Sequence, residues 1–298
     1  MRTRLVFGLV VLQAMFVIPA FGQNGPTPPP DKTVTAFGQT IHYWDVGSGP
    51  VVVLVHGMGS RKEDWLNVVA PLSQKHRLLI PDQIGFGQSD KPPLDYSIQT
   101  FVDFLNEFLH ELKIEKASLV GESLGGWISG LYAVELSSGG HLVPVEKLVL
   151  VDAGGLKQDK PIPWTDLNPS SLAAERRLLE EYVFSDTSWL TDDIVRRVFT
   201  EKLATHDAYT VHSISNNPML ASERLDGKLA KLRVPTLVIW GRQDALLPIA
   251  SGERYAAEIP GARLVSFDKC GHVPSAEKPE EFASTVIAFL DGAVSPAH

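Results

Sequence analysis

Short apolar runs alternate with amphipathic stretches along most of the chain. Residues 51–55 and 148–151 are uninterrupted apolar runs, which are typical of parallel strands covered on both faces. Three further runs share this character: residues 78–80, 119–120 and 237–239. Behind Ser97, a candidate N-cap, apolar residues recur at helical spacing: Ile98, Val102, Leu105, Leu109 and Leu112. The alternation predicts an α/β protein with a doubly wound, mostly parallel sheet.

The two edges of the predicted sheet are formed by less uniform segments. Residues 33–37 and 40–46 have the composition of strands and are separated by Gly38, which predicts an antiparallel hairpin at one edge. Residues 262–267 predict the last strand. With the runs described above, these segments give eight strands in all.

A long segment between the sixth and seventh predicted strands lacks the strand pattern. Within residues 153–232, helices are predicted at 171–182 and 191–204, and prolines interrupt the intervening loops. We therefore expect a helical segment inserted after strand 6. Its aromatic residues either line an apolar pocket or pack the insertion against the core: Trp164, Tyr182, Phe184, Trp189, Phe199 and Tyr209.

The N-terminus has the pattern of an export signal. Arg2 and Arg4 precede an apolar stretch at residues 5–20, and Ala-Phe-Gly at residues 20–22 is a small-x-small cleavage site. We predict a signal peptide at residues 1–22, a Pro-rich linker at residues 23–32 and an exported protein. An uncleaved membrane anchor is the alternative, but the stretch is shorter than the roughly 20 apolar residues that a spanning helix needs.

Composition narrows the class of protein further. A chain of 298 residues that is 44% hydrophobic and 21% charged is typical of a globular protein with one large domain and an insertion. Its net charge of −8, without a Lys/Arg-rich run, argues against nucleic acid as a partner. The only cysteine, Cys270, excludes an internal disulfide and is expected to be a small buried apolar residue.

The turn between the predicted strand at 116–120 and the helix that follows carries the pattern G-x-S-x-G. Gly121, Ser123 and Gly125 occupy the three fixed positions. A serine on such a tight strand-to-helix turn needs glycine on both sides to avoid steric collision. The pattern therefore predicts Ser123 as a nucleophile, although a plain turn is the alternative interpretation.

Two further residues follow predicted strands at the same edge of the sheet. Asp244 comes after the strand at 234–240, and His272 comes after the last strand. Histidine can accept and return a proton near neutral pH, and a carboxylate fixes its tautomer and stabilises the imidazolium. Ser123, Asp244 and His272 are thus predicted as a catalytic triad, with Asp152 as a rival for the acid.

Residues 56–59, His-Gly-Met-Gly, follow the strand at 51–55 and predict one half of an oxyanion hole. We nominate the backbone amides of Met58 and Leu124 as the two donors. His56 is expected to support this loop rather than to catalyse. Asp82, in a turn rich in glycine, is expected to cap backbone amides.

These motifs together resemble the α/β-hydrolase superfamily over residues 33–291. The resemblance implies a core at residues 33–152 and 233–291, a helical cap at residues 153–232 and a tail at residues 292–298. Epoxide hydrolases and haloalkane dehalogenases carry an aspartate where this chain has Ser123. Hydrolases of aromatic-ring meta-cleavage products are more similar, because they share a serine triad and a Cys-Gly-His sequence like residues 270–272. They usually have a longer Gly/Pro-rich loop after the His-Gly.

The expected function is that of an exported serine hydrolase acting on carboxylic esters of small to medium apolar compounds, without metal or organic cofactor. A carbon–carbon hydrolase of the meta-cleavage type and a noncatalytic ligand-binding protein are alternatives. Amide and lactone hydrolysis and perhydrolysis could use the same triad, so fold and triad do not separate these reactions. The sequence makes no prediction of oligomeric state.

Overall fold

The computed structural model describes residues 26–160 and 162–292; the predicted signal peptide, the start of the linker and nearly all of the predicted tail lie outside them. The described residues contain one eight-stranded sheet, in the order β1-β2-β4-β3-β5-β6-β7-β8. The strands are β1 (Lys32–Ala36), β2 (Gln39–Val46), β3 (Val51–Val55), β4 (Arg77–Pro81), β5 (Ala117–Glu122), β6 (Val145–Val151), β7 (Thr236–Gly241) and β8 (Arg263–Phe267). Pairing of β1 with β2 and of β2 with β4 is antiparallel, and every other pairing is parallel. The predicted doubly wound, mostly parallel sheet is therefore confirmed.

Helices cover both faces of the sheet. They are α1 (Leu66–Leu72), α2 (Ile98–Glu111), α3 (Leu124–Ser137), α8 (Ile249–Glu258), α9 (Pro274–Glu277) and α10 (Pro279–Leu290). In β3, Val53 and Val55 belong to the core cluster on one face, while Val52 and Leu54 belong to the cluster on the other. Because successive side chains of a strand point to opposite faces, a continuous apolar run is needed to fill both.

The segment between β6 and β7, which we call the insertion, contains no strand in its described part. Its helices are α4 (Leu172–Leu178), α5 (Asp192–Thr205), α6 (Ala208–Asn216) and α7 (Leu220–Glu223). The predicted helix at 171–182 differs from the structure, because α4 ends at Leu178 and a π-helical turn, Leu179–Val183, follows. Apolar spacing does not distinguish the two, since the π turn changes the hydrogen-bond register rather than the residue types.

Helix starts agree closely with the sequence patterns. Ser97 caps α2 by accepting a hydrogen bond from the Thr100 amide, and Thr191 caps α5 by accepting one from Ile194. Strand β1 begins at Lys32, the last residue of the predicted linker, which pairs with Tyr43 in the edge hairpin. No helix in the described ranges is both long and apolar enough to cross a bilayer.

Candidate active site

Ser123 occupies a strained turn between β5 and α3. Its backbone has φ 56° and ψ −116°, an unusual conformation for a residue with a side chain. A Cβ atom on Gly121 would lie 2.2 Å from the carbonyl oxygen of Gly125, and one on Gly125 would lie 2.0 Å from that of Val55. Glycine is therefore required at both positions, as the sequence pattern predicts.

The structure brings Ser123, His272 and Asp244 into one hydrogen-bonded chain. His272 Nε2 lies 2.9 Å from Ser123 Oγ, and His272 Nδ1 lies 2.8 Å from Asp244 Oδ2. The other oxygen of Asp244 accepts hydrogen bonds from the amides of Leu246 and Leu247, each 2.8 Å long. With its proton on Nδ1, His272 presents a bare Nε2 to the serine hydroxyl, as a general base must.

The charges around His272 favour its protonated form. Burial alone lowers the pKa of an imidazole, but the charge of Asp244 and its hydrogen bond outweigh burial, so the pKa of His272 is raised. Glu122, the residue before the nucleophile, adds a second negative charge. Burial raises the pKa of the Glu122 carboxyl to about 7, although Ser275 Oγ donates a hydrogen bond to it at 2.9 Å.

Asp152, the rival for the acid, is hydrogen-bonded to Gly241 and not to His272. Its Oδ1 accepts a hydrogen bond of 2.9 Å from the Gly241 amide, and its Oδ2 has no hydrogen-bond partner among the described residues. Burial and the neighbouring charge of Asp244 raise the pKa of Asp152 well above its usual value. Because His272 Nδ1 pairs with Asp244 and Asp152 pairs with Gly241, Asp244 is the carboxylate that orients the imidazole.

The two nominated oxyanion donors lie on the two segments next to Ser123. Leu124 is the first residue of α3, and Met58 lies in the loop after β3 and lines the same cavity as Ser123. A Cβ built on Gly57 would lie 3.2 Å from Ser123 Cβ, so this loop directly abuts the serine. Within the described part of the chain, neither amide donates to a protein acceptor. Both are thus available to a negatively charged oxygen.

Three further residues have the surroundings expected from the sequence. His56 Nε2 accepts a hydrogen bond from the Gln83 amide at 3.0 Å, which fixes the loop after β3. Asp82 is fully buried and accepts from the amides of Lys62 and Gln88 and from Lys62 Nζ. Cys270 is fully buried, and burial raises the pKa of its thiol.

A cavity of about 240 Å³ lies between the triad and the insertion. One group of lining residues is apolar: Leu167, Leu178, Leu179, Val183, Phe184, Trp189, Ile194, Val198, Leu246 and Val273. A second group is charged: Arg61, Asp64, Glu175, Arg197, Glu201 and Lys202. Buried polar atoms of three of these residues have no hydrogen-bond partner among the described residues: Glu175 Oε2, Arg197 Nε and Glu201 Oε1. The cavity therefore suits a ligand with an apolar and a polar part.

Sequence reasoning found only part of this lining. Of the six aromatic residues considered, Phe184 and Trp189 line the cavity, whereas Trp164, Tyr182, Phe199 and Tyr209 do not. The helical spacing of residues in the predicted helix 191–204 could have identified more of the lining residues. On α5 the lining residues are spaced three or four apart along one face: Ile194, Arg197, Val198, Glu201, Lys202 and Thr205.

In the described residues no group of His, Cys, Asp and Glu side chains has the geometry of a metal site.

Comparison with known proteins identifies the family. The model of a family described as the alpha/beta hydrolase family matches residues 52–285. A 2-hydroxymuconate semialdehyde hydrolase of a Pseudomonas species is 30% identical, over 90% of this chain and 96% of its own.

Two solved structures have similar folds. The meta-cleavage product hydrolase of Pseudomonas fluorescens has a TM-score of 0.78 at 29% identity, covering 88% of this chain and 98% of its own. A membrane phospholipase A described as a bacterial virulence factor has a TM-score of 0.77 at 27% identity. The similarity covers 88% of this chain and 86% of the phospholipase chain.

Proposed function

Because the chain belongs to the α/β-hydrolase family, we propose that it is a serine hydrolase that transfers an acyl group to water through Ser123. The observation that carries this proposal is the hydrogen-bonded chain from Ser123 Oγ through His272 to Asp244. His272 takes the hydroxyl proton while Oγ forms a bond to the substrate carbonyl carbon. The amides of Met58 and Leu124 stabilise the resulting oxyanion.

Collapse of this intermediate breaks the bond to the leaving group, which receives the proton from His272. Water then attacks the acyl-enzyme, with His272 as its base, and Ser123 is regenerated. The same steps serve an oxygen leaving group, or a carbon leaving group whose carbanion is stabilised by conjugation with a carbonyl of the substrate and takes the proton on carbon. The chemistry of the leaving group therefore depends on what the cavity binds.

Hydrolysis of a carbon–carbon bond, the alternative from the sequence, is the first candidate. It is supported by relatives that are named as 2-hydroxymuconate semialdehyde and meta-cleavage product hydrolases. The chemical name 2-hydroxymuconate semialdehyde denotes a compound with a carboxylate. In the cavity of this chain, Arg197 Nε is buried without a hydrogen-bond partner in the described residues, so a carboxylate could bind there.

Hydrolysis of a carboxylic ester, the first expectation from the sequence, is the second candidate. The apolar residues of the cavity could hold an acyl chain, and the similarity to a phospholipase A supports this reaction. We also propose that the insertion acts as a cap over the substrate, and that residues 1–22 direct export. Both reactions use the same residues, so neither substrate class alters the proposed mechanism.

Labelling with a fluorophosphonate, read by intact mass, tests the proposal without knowledge of the substrate. We expect one adduct on Ser123 in the wild type and none in Ser123→Ala, with labelling of His272→Ala slower by about 10⁴-fold. Folded wild-type protein that stays unlabelled would contradict the mechanism and favour a binding-only role. For protein recovered from an exporting host, the mass also shows whether the chain begins at Gln23.

A ring-cleavage product and a series of p-nitrophenyl esters then identify the reaction. Carbon–carbon hydrolysis predicts turnover of the ring-cleavage product with the higher kcat/KM. Faster turnover of the esters alone would assign the ester reaction instead.

A further inference from the structure

The loop that carries His272 is hydrogen-bonded to the insertion. The His272 amide donates to the carbonyl oxygen of Val183 at 2.8 Å. Beside this contact, the carboxylate of Glu277 binds both sides. Its Oε1 accepts from the Gly271 amide at 2.6 Å, and its Oε2 accepts from the amide and hydroxyl of Ser185 at 2.9 and 2.8 Å. One side chain therefore joins the catalytic loop to the segment Val183–Ser185.

The two segments approach so closely that only glycine fits between them. A Cβ atom on Gly271 would lie 2.5 Å from the carbonyl oxygen of Val183 and 2.9 Å from the Ser185 nitrogen. Both are backbone atoms, which cannot move without shifting the insertion. The absence of a side chain before His272 is thus what allows the insertion to dock against the catalytic loop.

The docked segment also touches the space where substrate would bind. Val183 ends the π-helical turn Leu179–Val183, and Leu179, Val183 and Phe184 all line the cavity. π-Helical turns are rare and are frequently found at functional sites. Contacts in the cavity can therefore act on the same backbone that holds the His272 amide.

We propose that Glu277 is a positioning residue that couples the insertion to the catalytic histidine. This inference rests on the proposed serine hydrolase function. His272 is held in line with Ser123 while Val183–Ser185 is docked, and it loses that alignment when the segment separates. A substrate that packs on Val183 and Phe184 favours the docked arrangement, so binding and assembly of the triad are linked.

The rate of fluorophosphonate labelling tests the coupling, because it requires an aligned His272 and little of the cavity. Glu277→Gln keeps the shape of the side chain but gives one oxygen position an amide donor, which cannot accept from Gly271 or Ser185. Ser185→Pro removes both donors from the insertion side, and the extended backbone of Phe184 (φ −105°, ψ 141°) is compatible with a following proline. Ser188→Pro is the matched control, since the Ser188 amide donates only to Asp186 within its own loop.

We expect Glu277→Gln and Ser185→Pro each to slow labelling by about tenfold or more, because small misplacements of a catalytic group can cost up to about 10²-fold. The double variant should be no slower than the slower single variant, since both changes break one bridge. Ser188→Pro should stay within about threefold of the wild type. All rates are measured well below the unfolding transition and on the alkaline plateau of each variant's pH profile, because the charge of Glu277 also raises the pKa of His272. Under these conditions a merely structural role would leave labelling of the folded protein unchanged.

Three results would overturn the coupling. One is a wild-type labelling rate in Ser185→Pro, which would show that Glu277 supports only the loop that carries His272. Another is a double variant whose loss equals the product of the single losses, and the third is unchanged labelling in Glu277→Gln. If Glu277→Gln does not fold, comparison of the labelling rates of Ser185→Pro and Ser188→Pro still tests the coupling. An unlabelled wild type would instead contradict the proposed function itself.

Discussion

Glu122 places a second carboxylate near His272, on the strand end that leads into the nucleophile. The charge of this carboxylate contributes to the raised pKa of His272. Burial raises the pKa of Glu122 to about 7, and its charge acts on His272, so the titrations of the two groups are coupled. A pH profile of the wild type will therefore report the pair and not either group alone.

Glu122→Gln is predicted to move the acid limb of the labelling rate to lower pH. The base must be neutral, so activity is lost as pH falls through the pKa of His272. Removing a negative charge lowers that pKa, and activity then persists further into acid. The glutamine oxygen can still accept from Ser275 Oγ. An acid limb that is unchanged or moved to higher pH would contradict this account.

The two buried aspartates at neighbouring strand ends should differ sharply in their effect on catalysis. Asp244→Asn removes the charge that orients His272 and should lower the labelling rate and kcat by about 10⁴-fold. Asp152→Asn replaces a carboxyl whose pKa is raised by burial with a neutral group of the same shape. It should stay within about threefold of the wild type, since the amide oxygen can still accept from Gly241. Equal losses in both variants, measured at the same pH, would show that the acid is shared.

At the scale of secondary structure, α5 supplies one face of the cavity. The helix begins at a Thr191 cap, and the spacing of its residues directs Ile194 and Val198 toward the apolar lining and Arg197 toward the charged lining. The neighbouring residue Arg196 is solvent-exposed. Adjacent arginines on one helix thus have opposite surroundings, which provides a matched pair for mutation.

Arg197→Met is predicted to raise KM for a carboxylate-bearing ring-cleavage product by about 10- to 100-fold, the range expected from one lost charge-assisted hydrogen bond. KM for a neutral ester should change by less than about threefold, because that substrate carries no anion for Arg197 to bind. Arg196→Met should leave both values unchanged. Equal effects of Arg197→Met on the two substrates would indicate a change in the shape of the cavity, and would remove the carboxylate-binding role of Arg197.

At the scale of the whole molecule, the sheet assembles the site from distant segments. Ser123 and His272 are separated by 149 positions, and Asp244 and His272 by 28. They meet because β5, β7 and β8 are parallel and end at the same edge of the sheet. The insertion then closes one side of the cavity, and Glu277 ties it to the catalytic loop.

The sheet, the tight turn at Ser123 and the chain order of the predicted triad could be read from the sequence. These features depend on local rules: apolar runs long enough to be buried on both faces, and a turn too tight for side chains at Gly121 and Gly125. Ser97 as a helix cap follows from the same kind of rule, because the amide it satisfies lies three residues away.

The choice between Asp244 and Asp152 as the hydrogen-bond partner of His272 required the folded structure, since both residues follow strands and differ only in what surrounds them. It also showed the charged lining of the cavity, the carboxylate of Glu122 near His272 and the bridge through Glu277. These features depend on contacts between segments far apart in the chain, and on burial, which sets the pKa of a carboxyl. The type and spacing of residues along the chain do not reveal these long-range contacts or the burial of each carboxyl.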